Sequence, residues 1–332
     1  MASSKQILRF DRRLVMALAN YDRHLPFIEG LVQIPGIPLE VLEVGQSVMG
    51  RHGTNRHQRM LNAQEFDMAE VSLSSFLMAK DQNAPFTAIP VFPRRLFSMS
   101  QMWVRKNSKI ASPRDLRGMR IGLNTFQTTL SVLAKADLER VYGVPWRNII
   151  WVTERGETRS FMPDPTARIE HLDSGDSLLN AITEGRIDCI VIPHPSQSFL
   201  QTADLVKLFR DSEAEEASYY RKFGYFPIMH VIVIRDAVLE EYPDLPVLLY
   251  DAFARSTEIA KQRWQDPNWS LLAWGSQAFE NQNRLLSYDI WPNGIEKNSE
   301  NIAWFIEQSL DQHLIRRRIG PSDLFHPDLF NT

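Results

Sequence analysis

Residues 120–152, RIGLNTFQTTLSVLAKADLERVYGVPWRNIIWV, decide the fold. Arg120-Ile121-Gly122-Leu123 reads as a short strand. Thr128 to Val141 follows with apolar residues at Leu130, Leu133, Ala134 and Leu138, the spacing of one helix face. Ile149 to Val152 returns to strand. Strand, helix and strand in succession imply a mostly parallel sheet with helices on its faces. In such sheets ligands sit at the carboxyl ends of the strands.

The same alternation extends both ways. Upstream, Leu14–Ala19, Leu39–Val44, Asp67–Val71, Thr87–Val91 and Ser100–Val104 read as strands, with helices near 55–64 and over Ser72–Lys80. Downstream, a polar loop to about Ala167 precedes a helix over Ser177–Glu184 and a strand over Ile187–Ile192. Phe226-Pro227-Ile228-Met229-His230 then leads into Val231-Ile232-Val233-Ile234, four β-branched residues that read as a buried strand. Pro227 lacks an N–H and belongs near the start of that strand. His230 therefore stands where a rigid sheet meets a loop. Beyond it the pattern turns helical, over Leu245–Gln265, Leu271–Asn281 and Ser299–Arg317.

Composition narrows the function. A length of 332 residues suits about two domains. Apolar content of 44% supports a full core, and a net charge of -3 with scattered Lys and Arg argues against a nucleic-acid footprint. Arg316-Arg317-Arg318 reads as a solvated helix end, and the acidic run Asp211–Glu216 as a solvated loop or helix start. The single cysteine, Cys189, lies in an apolar strand without a local positive group, so it reads as core rather than nucleophile. There is no apolar run of about 18 residues and no secretory pattern at the polar N-terminus, so a soluble cytoplasmic protein without membrane partner is expected. The helical C-terminal segment leaves a homo-oligomer open.

Several segments together carry a family likeness: Tyr21-Asp22-Arg23; Glu65 to Ser75; Ile89-Pro90-Val91-Phe92-Pro93 with Arg95; Leu116-Arg117-Gly118 with Gly122; Gln127-Thr128; Glu184 to Asp188; Tyr219-Tyr220-Arg221-Lys222 leading to His230; and Asn293 to Asn298. In this order and spacing the chain resembles the 4,5-dihydroxyphthalate decarboxylase family, whose members look like type II periplasmic binding proteins. The resemblance implies an α/β fold of two lobes. Lobe I would be discontinuous, residues 1–103 plus 230–332, lobe II residues 104–229, with the active site in the cleft between them. The chain departs from the family pattern at Arg94, Met99, Asn293, Lys297 and Ser299, which leaves the exact aromatic acid open.

The implied activity is decarboxylation of a hydroxylated aromatic acid. A hydroxyl para to the carboxylate pushes electrons to the ring carbon, which is protonated and then loses CO2. Such a substrate supplies its own electron source, so no organic cofactor is needed. A divalent metal is compatible but not demanded, because His52 and His57, five apart in a polar stretch, make a weak ligand pattern. The site needs cations for the carboxylates, hydrogen bonds and a proton carrier. Arg23 and Arg95 are the candidate cations. Ser72, Ser74, Gln127 and Thr128, at two helix starts, are candidate anion-binding groups, each equally explained as a cap. His230 and His194 are candidate proton carriers, with Glu70 as orienting acid. The competing reading is a solute-binding protein of an ABC importer for a small carboxylate, and a third is a biosynthetic relative on the same fold.

Overall fold

The computed structural model describes residues 12–193 and 195–332. Two sheets organise the chain. The first takes β1 (Leu14–Leu18), β2 (Leu39–Glu43), β3 (Met68–Ser72) and β4 (Phe86–Ile89) from the N-terminal part, and β11 (His230–Arg235) from much later. The second takes β5 (Met102–Arg105), β6 (Arg120–Leu123), β7 (Ile150–Thr153), β8 (Arg168–His171), β9 (Cys189–Val191) and β10 (Leu205–Lys207). Their orders are β2-β1-β3-β11-β4 and β10-β5-β9-β6-β7-β8. Each sheet is parallel except for a strand that enters from the other side. β11 runs antiparallel to β3 and β4, and β5 runs antiparallel to β9 and β10.

The parallel pairing of β6 with β7 is the one expected from residues 120–152, and the mixed α/β architecture is the one the family resemblance implies. The parallel strands β6, β7 and β9 bury both faces, which explains their unbroken apolar character. β8 and β10 were not legible: both are short edge strands, and β8 is largely exposed. The helix at Thr129–Tyr142 opens with Thr128 capping Ser131 N at 3.2 Å and closes at Gly143, whose φ of 68° suits glycine. The acidic run at 211–216 starts a helix, Ser212–Phe223, with Asp211 accepting from Ala214 N. The helix at 245–265 matches its sequence pattern end to end, whereas the last long helix stops at Asp311. Arg316, Arg317 and Arg318 lie beyond it and pair with Asp81, Asp323 and Glu307.

On β11, Val231 and Val233 enter one core and Ile232 and Ile234 another, as strand alternation requires. The first core is continuous across both sheets. It joins Phe76 and Leu77 of the helix Leu73–Asp81 to Leu130 and Leu133, and to Phe305 and Ile306 of the helix Ser299–Asp311. Polar ties reinforce this joint. Gln312 Nε2 donates to Val132 O at 3.0 Å, and Arg147 reaches Asp311 at 3.1 Å. Cys189 is buried in this core, and burial pushes its thiol up to about 12. Among the described residues no helix is long and apolar enough to cross a membrane.

Candidate active site

The two sheets place their strand ends around a cavity of about 190 Å³. First-sheet elements supply Ser72, Arg94 and His230, together with His57 from the helix Arg56–Leu61. Second-sheet loops supply Gln127, Thr128, Arg155 and Arg159. No Asp or Glu is among the described lining residues; Arg94 and Arg159 make no ion pair with a described residue, and the exposed Arg155 pairs with Glu154 at 3.6 Å outside the wall. Such a wall concentrates anions.

His230 is the first residue of β11 and lies opposite Ser72 in the antiparallel pair. Glu70, two residues earlier on β3, shares its face and is fully buried. His230 Nδ1 hydrogen-bonds Glu70 Oε1, which leaves Nε2 as the ring nitrogen without a bond to any described residue. The other Glu70 oxygen accepts from Ala19 N at 3.1 Å and lies 3.0 Å from the buried Arg56 guanidinium. Burial opposes the Glu70 charge, but Arg56 and His230 outweigh it and hold the carboxyl well below its usual range. Burial likewise lowers His230, to about 4, against the opposing pull of Glu70. The ligand-free imidazole is thus neutral at neutral pH, its tautomer fixed by the carboxylate behind it.

The residues singled out in the sequence are distributed as follows. Ser72, Gln127, Thr128 and His230 line the cavity, and Glu70 stands directly behind His230. Ser74 is buried and does not line it. His194 lies outside the described residues. Arg95 points away. Its guanidinium donates to Phe226 O, Pro292 O and Asn298 Oδ1 at 2.6–2.7 Å, a structural tie between the chain crossing and the C-terminal region. Arg23 is also elsewhere, stacked between Tyr21 and Trp291, paired with Asp22 and bonded to Pro93 O. The neighbour Arg94 lines the cavity instead and forms no side-chain hydrogen bond or ion pair with a described residue. Successive side chains on an extended segment face opposite ways, so a choice one residue off selects the wrong arginine.

The two helix starts do not face each other across open space. Ser72 Oγ and Thr129 Oγ1 are 2.8 Å apart, and Ser74 N donates to Thr129 Oγ1 at 3.2 Å. The backbone N–H groups of Phe126 and Gln127 are already held by the Glu157 carboxylate at 2.6 and 3.1 Å. What Gln127 offers the cavity is its side chain. Nε2 is bound to Thr158 Oγ1 at 2.8 Å, while Oε1 is buried without a partner.

Sequence reasoning set His57 aside as a weak metal-ligand pattern and gave Arg56 no role. Arg56 is fully buried against Glu70, and His57 sits edge-on to His230 with ring centroids 4.8 Å apart. Both come from a polar stretch that reads as solvated. Among the described residues no group of three or more His, Cys, Asp or Glu is arranged to hold a metal ion.

Residues 46–139 match the family described as NMT1/THI5 like. The chain is 34% identical over 333 residues to a 4,5-dihydroxyphthalate decarboxylase of Comamonas testosteroni, covering 95% of this chain and 96% of that protein. It is 29% identical to a Pseudomonas putida protein of the same name over 64% of this chain and 83% of that one. In fold it is similar to the periplasmic aliphatic sulphonate binding protein SsuA of Escherichia coli, with a TM-score of 0.58, 12% identity, and coverage of 97% of this chain and 100% of that one. It is also similar to a DszB variant in complex with biphenyl-2-sulfinic acid, with a TM-score of 0.54, 12% identity, and coverage of 96% and 97%. These two likenesses concern the fold alone, which binders and enzymes share. The sequence identity is different in kind, because at 34% it spans 95% of this chain and 96% of the relative: the chain belongs to the 4,5-dihydroxyphthalate decarboxylase family of carboxy-lyases.

Proposed function

We propose that this protein removes one carboxylate, as CO2, from a hydroxylated phthalate-type acid bound in the cavity between the two sheets, with His230 as the proton carrier. The observation that carries this reading is the buried Glu70–His230 pair opening onto a wall of three arginines and no acid.

The electrostatics come first. Arg94 on one side and Arg155 and Arg159 on the other suit an acid with two carboxylates. Arg159 already spends two nitrogens on Gln82 Oε1 and Leu61 O, at 2.9 and 2.8 Å, so it is held rigidly while its charge stays free of any carboxylate. Preformed charge of this kind costs no reorganisation when the ligand arrives.

The chemistry follows from the pair. Without ligand, burial keeps His230 neutral. A dianion beside Nε2 reverses that balance, because a nearby negative charge favours the imidazolium. Glu70 stabilises the same cation from behind. The imidazolium then protonates the ring carbon that bears the leaving carboxylate. The C–C bond breaks, its electron pair returns to the ring, and CO2 departs. A hydroxyl para to that carbon supplies the electrons, so the reaction needs no organic electron sink.

Incubation of the purified protein with a panel of hydroxylated phthalates and benzoates, with CO2 and product measured, tests this reading. CO2 from a dihydroxyphthalate is the expected result. Tight binding with no CO2 from any member contradicts it and favours a binding protein. A parallel run with a chelator reads any need for a divalent ion.

A further inference from the structure

Among the described residues, His57 is the titratable side chain in the cavity wall that the reaction above leaves unused. It lies at the second position of the helix Arg56–Leu61, and its backbone N–H is held by Gln46 Oε1 at 2.9 Å, so the ring has a fixed mount. The ring is buried, lines the cavity beside His230 and Arg94, and meets His230 with the two planes at 90°. Its Nε2 is buried and has no hydrogen-bond partner among the described residues. A purely structural histidine is ordinarily tied at its ring nitrogens, and a buried polar atom left without a partner calls for a reason.

The surroundings also fix its charge state. Burial, His230 and Arg56 all push the His57 imidazole well below its usual range, and the one nearby carboxylate, Glu70, is committed to Arg56 and His230. His57 is therefore a neutral base beside a histidine that becomes cationic when the dianion binds. Two adjacent imidazoliums would repel each other, but one charge passing from one ring to the other does not.

We infer that His57 is a second catalytic residue, which takes the proton of the substrate hydroxyl para to the departing carboxylate while His230 protonates the ring carbon. The inference rests on the decarboxylase reading above. A ring carbon is protonated along the normal to the aromatic plane, whereas a phenolic O–H lies within that plane. One flat substrate thus needs two partners at separate positions, and two imidazoles in T-shaped contact on one cavity wall, with centroids 4.8 Å apart, offer them.

The step balances. The substrate O–H bond breaks, its proton bonds to the His57 nitrogen, and the oxygen's electron pair enters the ring. A C–H bond forms with the proton of the His230 imidazolium. The carboxylate's C–C bond breaks, its electron pair flows back through the ring to the oxygen, and CO2 leaves. The phenolate recovers its proton from the His57 imidazolium. Each turnover consumes one proton, replaced from solvent at His230, and nothing is oxidised or reduced.

The test compares wild type with His57→Gln on 4,5-dihydroxyphthalate over a range of pH. The variant is expected to lose kcat by about 10²-fold at pH 7 and to regain activity towards pH 9, as the hydroxyl ionises without help. Wild type is expected to stay nearly flat over that range. A solvent isotope effect on kcat adds a readout that a structural role would not move: larger in wild type, where two protons move in one step, than in the variant at pH 9, where the hydroxyl is already ionised. Equal kcat in the two proteins overturns the assignment, and so does a loss that is uniform across pH with an unchanged isotope effect. Should His57→Gln fail to fold, His57→Asn carries the same comparison. Wild type that releases no CO2 from any member of the panel overturns instead the reading beneath it.

Discussion

Glu70 and His230 sit two residues out of register across an antiparallel strand pair, and Glu70 accepts the Nδ1 hydrogen bond of His230 from that diagonal. Diagonal neighbours on one sheet face lie within reach of long side chains, so the backbone itself aims the pair. The strands come from opposite ends of the chain, and β11 enters the first sheet at this histidine. The fold's return crossing is thereby also the place where the acid behind the imidazole is fixed.

Removing that acid separates catalysis from binding. Glu70→Gln keeps the shape but loses the charge that supports an imidazolium, so kcat is expected to fall about 10²-fold or more, with less effect on substrate affinity. The same change strands the buried Arg56 without its counter-charge and costs roughly 3–5 kcal/mol of stability. Single-turnover kinetics beside denaturant melts read both effects.

Arg94 and Arg95 are sequence neighbours with opposite expected phenotypes. Arg94 has no described side-chain partner, so Arg94→Ala is expected to weaken substrate binding about 10-fold or more and to leave the melting temperature nearly unchanged. Arg95→Ala removes three hydrogen bonds and leaves Asn298 Oδ1 without that donor, while Phe226 O and Pro292 O keep bonds from Asn301 and Asn298, and it is expected to cost roughly 1–3 kcal/mol of stability. Calorimetric titration and thermal melts on the two variants give the comparison.

Acid is expected to destabilise the protein well before its carboxylates protonate. Burial lowers His24 and His230 from 6.5 to about 4, and holds His57 well below its usual range. Below pH 6.5 the unfolded chain binds protons that the folded one refuses. The histidines' contribution is therefore full above about pH 6.5 and falls as pH drops towards 4, by at most about 1.4 kcal/mol for each group and pH unit. Denaturant melts between those pH values check the slope, and His230→Gln is expected to make it shallower.

Asp137 gives the opposite sign. It lies buried in the helix Thr129–Tyr142, accepts from Ser98 Oγ at 2.6 Å, and burial pushes it up to about 7. Its folded-state value is raised, so its contribution is fully present below the ordinary 3.8 and lost as pH rises through about 7. Asp137→Asn removes the buried charge. It is expected to be more stable than wild type at pH 8, by on the order of 1 kcal/mol or more, with the advantage vanishing near pH 4. Melts at the two pH values measure it.

The fold was legible where one face repeats. Residues 120–152 show strand and helix periods in turn, and Val231 to Ile234 show a strand buried on both sides. His230 was legible because such a strand begins with it. The anion-binding wall was not, because it depends on which way neighbouring side chains turn and on partners far away in sequence. Arg51 and Arg56 look alike in their polar stretch, yet the first is exposed and the second fully buried against Glu70. Gln127 looked like an anion-binding helix start, but its N–H is taken by Glu157 from a loop 30 residues on. Arg155 and Arg159 come from that same polar loop, where no periodicity marks any side chain as facing inward.

The most direct test of the account is the rate of CO2 release from 4,5-dihydroxyphthalate by wild type and by His230→Gln, with ligand affinity measured in parallel. The account predicts steady release by wild type and a loss of about 10²-fold or more in the variant, with the ligand still bound. Wild-type release by His230→Gln would contradict it.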